Sequence, residues 1–299
     1  MFYIPINYPF TFVLNRFEFM RSFFKIICWA GLASFPFLSQ GQYYYKDIVS
    51  NLQLQKDMAL YKSHKVRNIK IESLEADGLP SPGFYCRKKL NKNYTRSELQ
   101  TRLQMSGSTW VISQYNEDGQ IISVSDSSDI SINHIQYEYT QDGLLASVKS
   151  NISSSDDDFI THITEEHIYS YNEDGKPTQM LRIKNHSDTA LILFALDEHK
   201  NVSIEKNSVT GNKYYYYYDN KNRLTEIVEI NDFRTQPTPN YIFKYNPANL
   251  ITEMTVVEEG GNVPDYFIWK YGYEDGLLSS ERCYSKQRRL VGSVTYTYQ

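Results

Sequence analysis

The chain has 299 residues, enough for one large domain or two small ones. Its charged fraction of 22% and mean hydropathy of -0.52 exclude a membrane-embedded bulk, and a net charge of -4 gives no electrostatic reason to bind nucleic acid. Tyrosine is over-used, with 26 Tyr against 15 Phe and 3 Trp. It suits half-buried strands, where the ring packs and the hydroxyl reaches water.

The N-terminus reads as a targeting segment. Met20-Arg21-Ser22-Phe23-Phe24-Lys25 is a short basic start, and residues 26–38 are apolar but too short for an ordinary spanning helix. Ser39-Gln40-Gly41 offers the small residues that a signal peptidase reads, with cleavage before Gln42. Residues 1–41 are thus expected to be an extension plus signal peptide, with Met20 as the working start. The mature chain would be exported, with no integral membrane span. The competing reading, one longer anchor over residues 10–38, is interrupted by Asn15, Arg16, Glu18, Arg21 and Lys25. Cys86 and Cys283 remain after cleavage; an oxidising compartment permits one disulfide between them, or they stay as two free thiols.

Residues 42–105 are expected to form a small mixed N-terminal cap. Residues 47–62 have helical character, with Ile48, Leu52, Ala59 and Leu60 among polar residues. Residues 65–74 alternate Ile69 and Ile71 against Lys70 and Glu72, as a strand would, and Pro80-Ser81-Pro82-Gly83 is a turn. The cap would cover the open edge of the first repeat.

Residues 106–299 carry a tandem repeat: an aromatic alternation, an Asn/Asp/Gly turn, then a Leu-containing segment. The residue before each turn serves as an anchor: Tyr115, Tyr139, Tyr171, Leu196, Tyr218, Tyr245, Tyr273 and Tyr298, spaced by 24, 32, 25, 22, 27, 28 and 25. A weaker early copy lies at Leu74-Glu75-Ala76-Asp77-Gly78-Leu79. Triplets at -4, -2 and 0, such as Ile135/Tyr137/Tyr139, Tyr214/Tyr216/Tyr218 and Trp269/Tyr271/Tyr273, put aromatic side chains on one face of a strand. The Asp-Gly pairs suit tight turns at positive φ. An apolar residue returns at about +6 and another at +9, a spacing that calls for a bulge or a short strand. The fold class is therefore all-β: tandem β-hairpins forming a long antiparallel meander of roughly 14–16 strands, curled so that its aromatic face lies inside.

The run Tyr216-Tyr217-Tyr218-Asp219-Asn220-Lys221-Asn222-Arg223-Leu224-Thr225 resembles a YD repeat of the Rhs type, and the other copies are looser versions. The resemblance covers about residues 110–299. It implies a curled β-strand shell, a link to carbohydrate binding or toxin carriage, and a small secreted form from Gram-negative bacteria. The chain departs from the pattern in its few repeats and in lacking a core-terminating motif.

Few residues suggest chemistry. His162 and His167 are five apart, the wrong spacing for two zinc ligands on one helix face, and on a strand they diverge. Asp156-Asp157-Asp158 and the Asn-Glu-Asp-Gly turns lack the ligand spacing of a calcium loop. Glu165/Glu166 and Glu258/Glu259 are sequence neighbours and would point apart. No catalytic residue, metal or cofactor is expected. Tyr215 and Tyr217 are different: they put rings on the usually polar face of their strand. Either they are covered by a loop or by the N-terminal segment, or they are exposed to stack on sugar rings or a partner protein.

The function expected is an exported, non-catalytic binding or scaffold protein of the periplasm or cell surface, with polysaccharide or a cell-surface protein as partner. The alternatives are a hydrolase acting on extracellular polysaccharide, a shell fragment of an Rhs-type toxin system, and an outer-membrane barrel. The last is disfavoured by short strands with a polar face.

Overall fold

A computed structural model describes residues 44–103, 107–128, 131–154, 162–230, 238–258 and 265–299. The segment read as extension and signal peptide lies outside them, as does Asp156-Asp157-Asp158. Among the described residues one helix, α1 (Tyr45–Ser63), precedes a strand series. The first strands are β1 (Asn68–Glu75), β2 (Tyr85–Leu90), β3 (Arg96–Leu103), β4 (Gly107–Tyr115), β5 (Ile121–Ser127) and β6 (Ser131–Tyr139). Next come β7 (Leu145–Ser154), β8 (His162–Tyr171), β9 (Pro177–Lys184), β10 (Asp188–Leu196), β11 (Val202–Asn207) and β12 (Lys213–Tyr218). The last are β13 (Leu224–Ile230), β14 (Pro239–Tyr245), β15 (Ile251–Glu258), β16 (Asp265–Glu274), β17 (Leu277–Ser285) and β18 (Leu290–Tyr298).

Each strand pairs antiparallel with its chain neighbours. β1 then pairs with β18, from Ile69↔Tyr298 to Glu75↔Gly292, so the 18-stranded sheet closes on itself. The expected open, curled meander is thus a closed barrel. Closure removes both free edges at once, which curling does not. The cap expected on an edge has no edge to cover. Its strand segment is the wall that shuts the ring, and Gly292 suits that seam because a Cβ there would lie 3.0 Å from the Leu74 carbonyl.

The triplets face inward as their period requires. Tyr214, Tyr216, Phe243, Trp269, Tyr271 and Val294 are all buried. The turns that follow the anchors share one hydrogen-bond pattern. In residues 116–120, Asn116 N–H donates to Gln120 O, Gly119 N–H donates to Asn116 O, and Asn116 Oδ1 accepts from the N–H groups of Asp118 and Gln120. The backbone pattern recurs from Thr140, Asn172, Asp197, Asp219 and Asn246. The fourth residue sits at positive φ, whether Gly119 (φ 78), Lys200 (φ 61) or Asn222 (φ 55). Asp-Gly supplies positive φ through its glycine, as expected: in most copies only the glycine is left-handed. Both residues are left-handed only between β16 and β17, at Asp275 (φ 50) and Gly276 (φ 82). The early copy at residues 74–79 forms the same backbone bonds (Glu75 N–H to Leu79 O, Gly78 N–H to Glu75 O), but it follows β1, which runs away from the tyrosine-bearing mouth, so its turn lies at the opposite end.

A register shift falls beside the anchor in every such hairpin, for example between Gln114 and Tyr115 and between Glu138 and Tyr139. This is the bulge that the +6/+9 spacing required. A bulge leaves a main-chain group out of the ladder. The next anchor tyrosine takes it. Tyr139 Oη donates to Ile121 O at 2.6 Å, Tyr171 to Leu145 O at 2.7 Å, and Tyr218 to Val202 O at 2.7 Å. Tyr245 donates to Leu224 O at 2.6 Å, Tyr273 to Ile251 O at 2.9 Å, and Tyr298 to Leu278 O at 2.7 Å. Each bond staples one hairpin to the one before it.

Replacing Tyr273 by Phe should keep the packing but orphan the Ile251 carbonyl, at a cost of about 1–2 kcal/mol. Urea denaturation of the variant checks this, and an unchanged midpoint would remove the staple from the account.

Candidate functional site

The helix lies inside the ring. Its residues meet inward-facing side chains from strands all round the barrel: Asn51 Nδ2 donates to Tyr139 on β6, Asp47 meets His167 and Tyr169 on β8, and the N-terminus of α1 meets Glu205 on β11. At the other end Tyr61 lies 6.2 Å from the Tyr298 ring on β18 and under Lys88 Nζ of β2. Gln55 Nε2 donates to Asp118 O in the β4–β5 turn, which places that part of the helix at the turn-bearing mouth. The expected apolar positions do not describe how it packs. Leu52 is 51% exposed, while Asn51, Gln53 and Asp57 are buried beside Val49, Met58 and Tyr61. A helix surrounded by tyrosine hydroxyls and charged groups can bury polar residues because partners are present.

Its first turn has no capping side chain of its own. Glu205 supplies the cap from the wall: its carboxylate accepts from Tyr44 N–H and Tyr45 N–H at 2.8 Å and from Tyr216 Oη at 2.8 Å. These bonds satisfy orphan donors and place negative charge at the positive end of the helix. Burial nevertheless outweighs them and pushes Glu205 up to about 7. Tyr45 enters the core against Tyr216 and Phe194 and reaches Tyr218. This is the stretch of wall where the anchor is Leu196, so the helix contributes a ring where the ladder lacks one.

His167 lies between two carboxylates. Its Nδ1 is 2.7 Å from Asp47 Oδ2 and its Nε2 is 2.8 Å from Glu165 Oε1. Both ring nitrogens face acceptors, and only imidazolium has two donors. Burial works against that charge, but Asp47 and Glu165 prevail and raise His167 from 6.5 to about 9. Burial also opposes the charge on Asp47 and Glu165, yet His167 holds both below their ordinary values. Tyr169 Oη donates to Asp47 at 2.8 Å. His167 is four residues before the anchor Tyr171 and so at an inward triplet position; its partner Asp47 is 120 residues away in the chain, and no local pattern joins the two. His162 is exposed at the start of the same strand and takes no part.

The rings of Tyr215 and Tyr217 are on the outer wall. Tyr215 is half-buried between Ile204 of β11 and Val228 of β13, its cross-strand partners. Tyr217 is 51% exposed. The N-terminal helix, one of the two expected covers, is on the other side of the wall. The two rings floor a shallow groove of about 490 Å³, edged by Glu198 and His199 in one turn and Asn220 in the next. Asp197 and Asp219 also line it, but their carboxylates accept the N–H groups of their own turns.

Cys86 and Cys283 are buried on β2 and β17, and Cys86 Sγ lies 3.4 Å from Thr101 Oγ1. β1 and β18 lie between those strands, and three steps of about 4.8 Å each exceed the roughly 7 Å that a disulfide spans between Cα atoms. Among the described residues no group of His, Cys, Asp and Glu is arranged to hold a metal ion, and no helix is long and apolar enough to cross a membrane.

No family model matches the chain, and no curated protein matches it. Solved structures do show likeness. A porin-like protein from Bacteroides uniformis is 12% identical over 78% of this chain and 98% of that one, with a TM-score of 0.41. A porin-like protein from Bacteroides vulgatus is 10% identical over 77% of this chain and 97% of that one, at 0.31. TcdB2–TccC3 without its hypervariable C-terminal region is 11% identical over 72% of this chain and 16% of that one, at 0.28. All three scores are low, and the barrel is defined by this chain's own strand pairing. The YD-type likeness stands on residues 216–225 and their looser copies.

The outer wall carries charge at mid-strand. Lys244, Glu253, Lys270 and Arg282 lie opposite one another in turn across β14–β17, and Lys70 lies opposite Arg87 across β1 and β2. A transmembrane barrel has an apolar outer band and a polar interior; this interior is largely apolar and aromatic, and the outer wall is mixed, with charge across β14–β17 and exposed Trp110, Ile132, Ile168 and Leu193 elsewhere.

The luminal cluster sets a pH profile. His167 binds its proton more tightly when folded, so its contribution is complete below about pH 6.5 and is lost as pH rises through about 9. Glu205 is also raised; its contribution is complete below 4.5 and is lost as pH rises through about 7. Asp47 and Glu165 are depressed, so theirs is present above 3.8 and 4.5 and is lost on acidification. Stability should therefore peak in mildly acidic solution and fall towards pH 9. Denaturant titrations of His167→Gln should show a flattened limb between about pH 6.5 and 9, and those of Glu205→Gln one between about 4.5 and 7.

Proposed function

We propose that this chain is an exported, non-catalytic binding barrel whose outer groove over β11 and β12 takes a neutral carbohydrate chain. The observation that carries the reading is Tyr217, a large ring 51% exposed on a paired strand rather than on a loop. A ring held on a rigid wall loses little freedom on stacking against the apolar face of a sugar. Tyr215 widens the platform. Glu198, whose side chain is 87% exposed, His199 and Asn220 supply hydrogen-bonding groups at the groove's edge. This combination of an aromatic floor and a few polar groups is the usual make-up of a small-molecule site.

The hydrolase alternative draws nothing from the lumen, where Asp47 and Glu165 are engaged by His167. The toxin-shell alternative calls for an empty interior, and here α1 and the aromatic triplets occupy it. Export remains part of the proposal and rests on residues 20–41 of the sequence.

Binding to a panel of neutral polysaccharides tests the reading. Tyr217→Ser should abolish binding while leaving folding stability within about 0.5 kcal/mol, as for most surface changes. If the wild-type chain retains no glycan, the proposal fails.

A further inference from the structure

The barrel wall and its helix are held by different chemistry. The tyrosine staples run from wall to wall, six anchor hydroxyls bonding wall carbonyls and Tyr115 meeting the Ser97 hydroxyl on β3, so the ring does not need the helix to satisfy them. The N-terminal half of α1 packs Tyr44, Tyr45 and Val49 on the core, and charge fixes it there: Glu205 on its backbone N–H groups and Asp47 on His167. We propose that the N-terminal half of α1 is a releasable plug, locked in the lumen by the His167 imidazolium and freed when that ring is neutral.

The hydrogen-bond geometry supplies the trigger. A neutral imidazole has one donor, so one of the two carboxylates at 2.7 and 2.8 Å must then face a lone pair. The surroundings do not fully replace the lost charge. The helix brings Lys46 and Tyr44 to the cluster, and both interact with Glu165 and Glu205. On β8 the neighbours are Glu165 and Tyr169. β9 brings Arg182, the cross-strand partner of His167, and Lys184 beside Glu165. Arg182 is shared with exposed Asp188. Glu205 on β11 and Tyr137 on β6 both feel Asp47. Once His167 is neutral, Lys46 and the wall cations face Asp47, Glu165 and an ionised Glu205 together. Asp47 is the one anion of this set on the helix, next to Lys46, so its repulsion by Glu165 and Glu205 acts between plug and wall. Release would uncover the rings around Leu196 that Tyr45 now fills.

Hydrogen–deuterium exchange on the full chain, expressed as protection factors at pH 6.5 and 9.5, reads this directly. Amides of residues 45–53 should lose protection on the order of a hundredfold, as a shift of His167 to about 9 implies, while β10–β13 keep theirs. His167→Gln should show the released helix already at pH 6.5. If that variant does not fold, Asp47→Asn should move the transition to lower pH. Helix and strands losing protection together, or an unmoved transition in the variant that folds, would overturn the proposal.

Discussion

The hydrogen bond from six of the anchor tyrosines, all but Tyr115, to a carbonyl of the preceding hairpin is the constraint on which the molecule rests. A two-stranded hairpin is marginal in water, and a bulge at its base adds an unpaired main-chain group. Here the bulge is the docking point for the next unit: Tyr245 cannot bond Leu224 O unless β13 and β14 are side by side. Each of these six rings also packs inside the barrel, Tyr298 on the cluster around Met58 and Tyr61 and the others on the cluster around Met180 and Ile192. One residue type therefore joins burial to registry, which is why tyrosine rather than phenylalanine stands at these positions.

Repeating that step round the chain has two consequences. The sheet must curl, because every ring points the same way, and the curl ends when β18 meets β1. The ring is also wider than its own side chains fill. The N-terminal helix makes up the difference, with apolar contacts through Met58 and Tyr61 at one end and through Tyr44 and Val49 at the other, where Asp47 adds ionic contacts. Its buried polar residues are tolerated because the wall offers hydroxyls and carboxylates at matching places. The single ladder position without a hydroxyl, Leu196, is where Tyr45 enters.

The outer wall has no such uniformity. Charged cross-strand rows cover β14–β17, whereas β11 and β12 present Ile204, Tyr215 and Tyr217. The interior explains the fold, and on the exterior Tyr217 is the most exposed aromatic ring among the described residues, ahead of Trp110 and Tyr85. A binding role for β11 and β12 follows from the chemistry of their groove.

The sequence by itself determined the repeat, the inward face and the need for a bulge. Periods of two, turn residues and the +6/+9 spacing are local, and local geometry follows from neighbours in the chain. Asn116 and Asp219 fix their own turns through bonds reaching no more than four residues. Closure was decided only in three dimensions, since it depends on the summed twist of many strands and on one pairing, Ile69↔Tyr298, between the two ends of the described chain. The luminal cluster is likewise tertiary. Asp47, His167 and Glu205 come from distant segments, and nothing near any of them in the chain specifies the other two. Helical character was legible in residues 47–62, but which side chains the helix buries was set by the ring of polar partners around it.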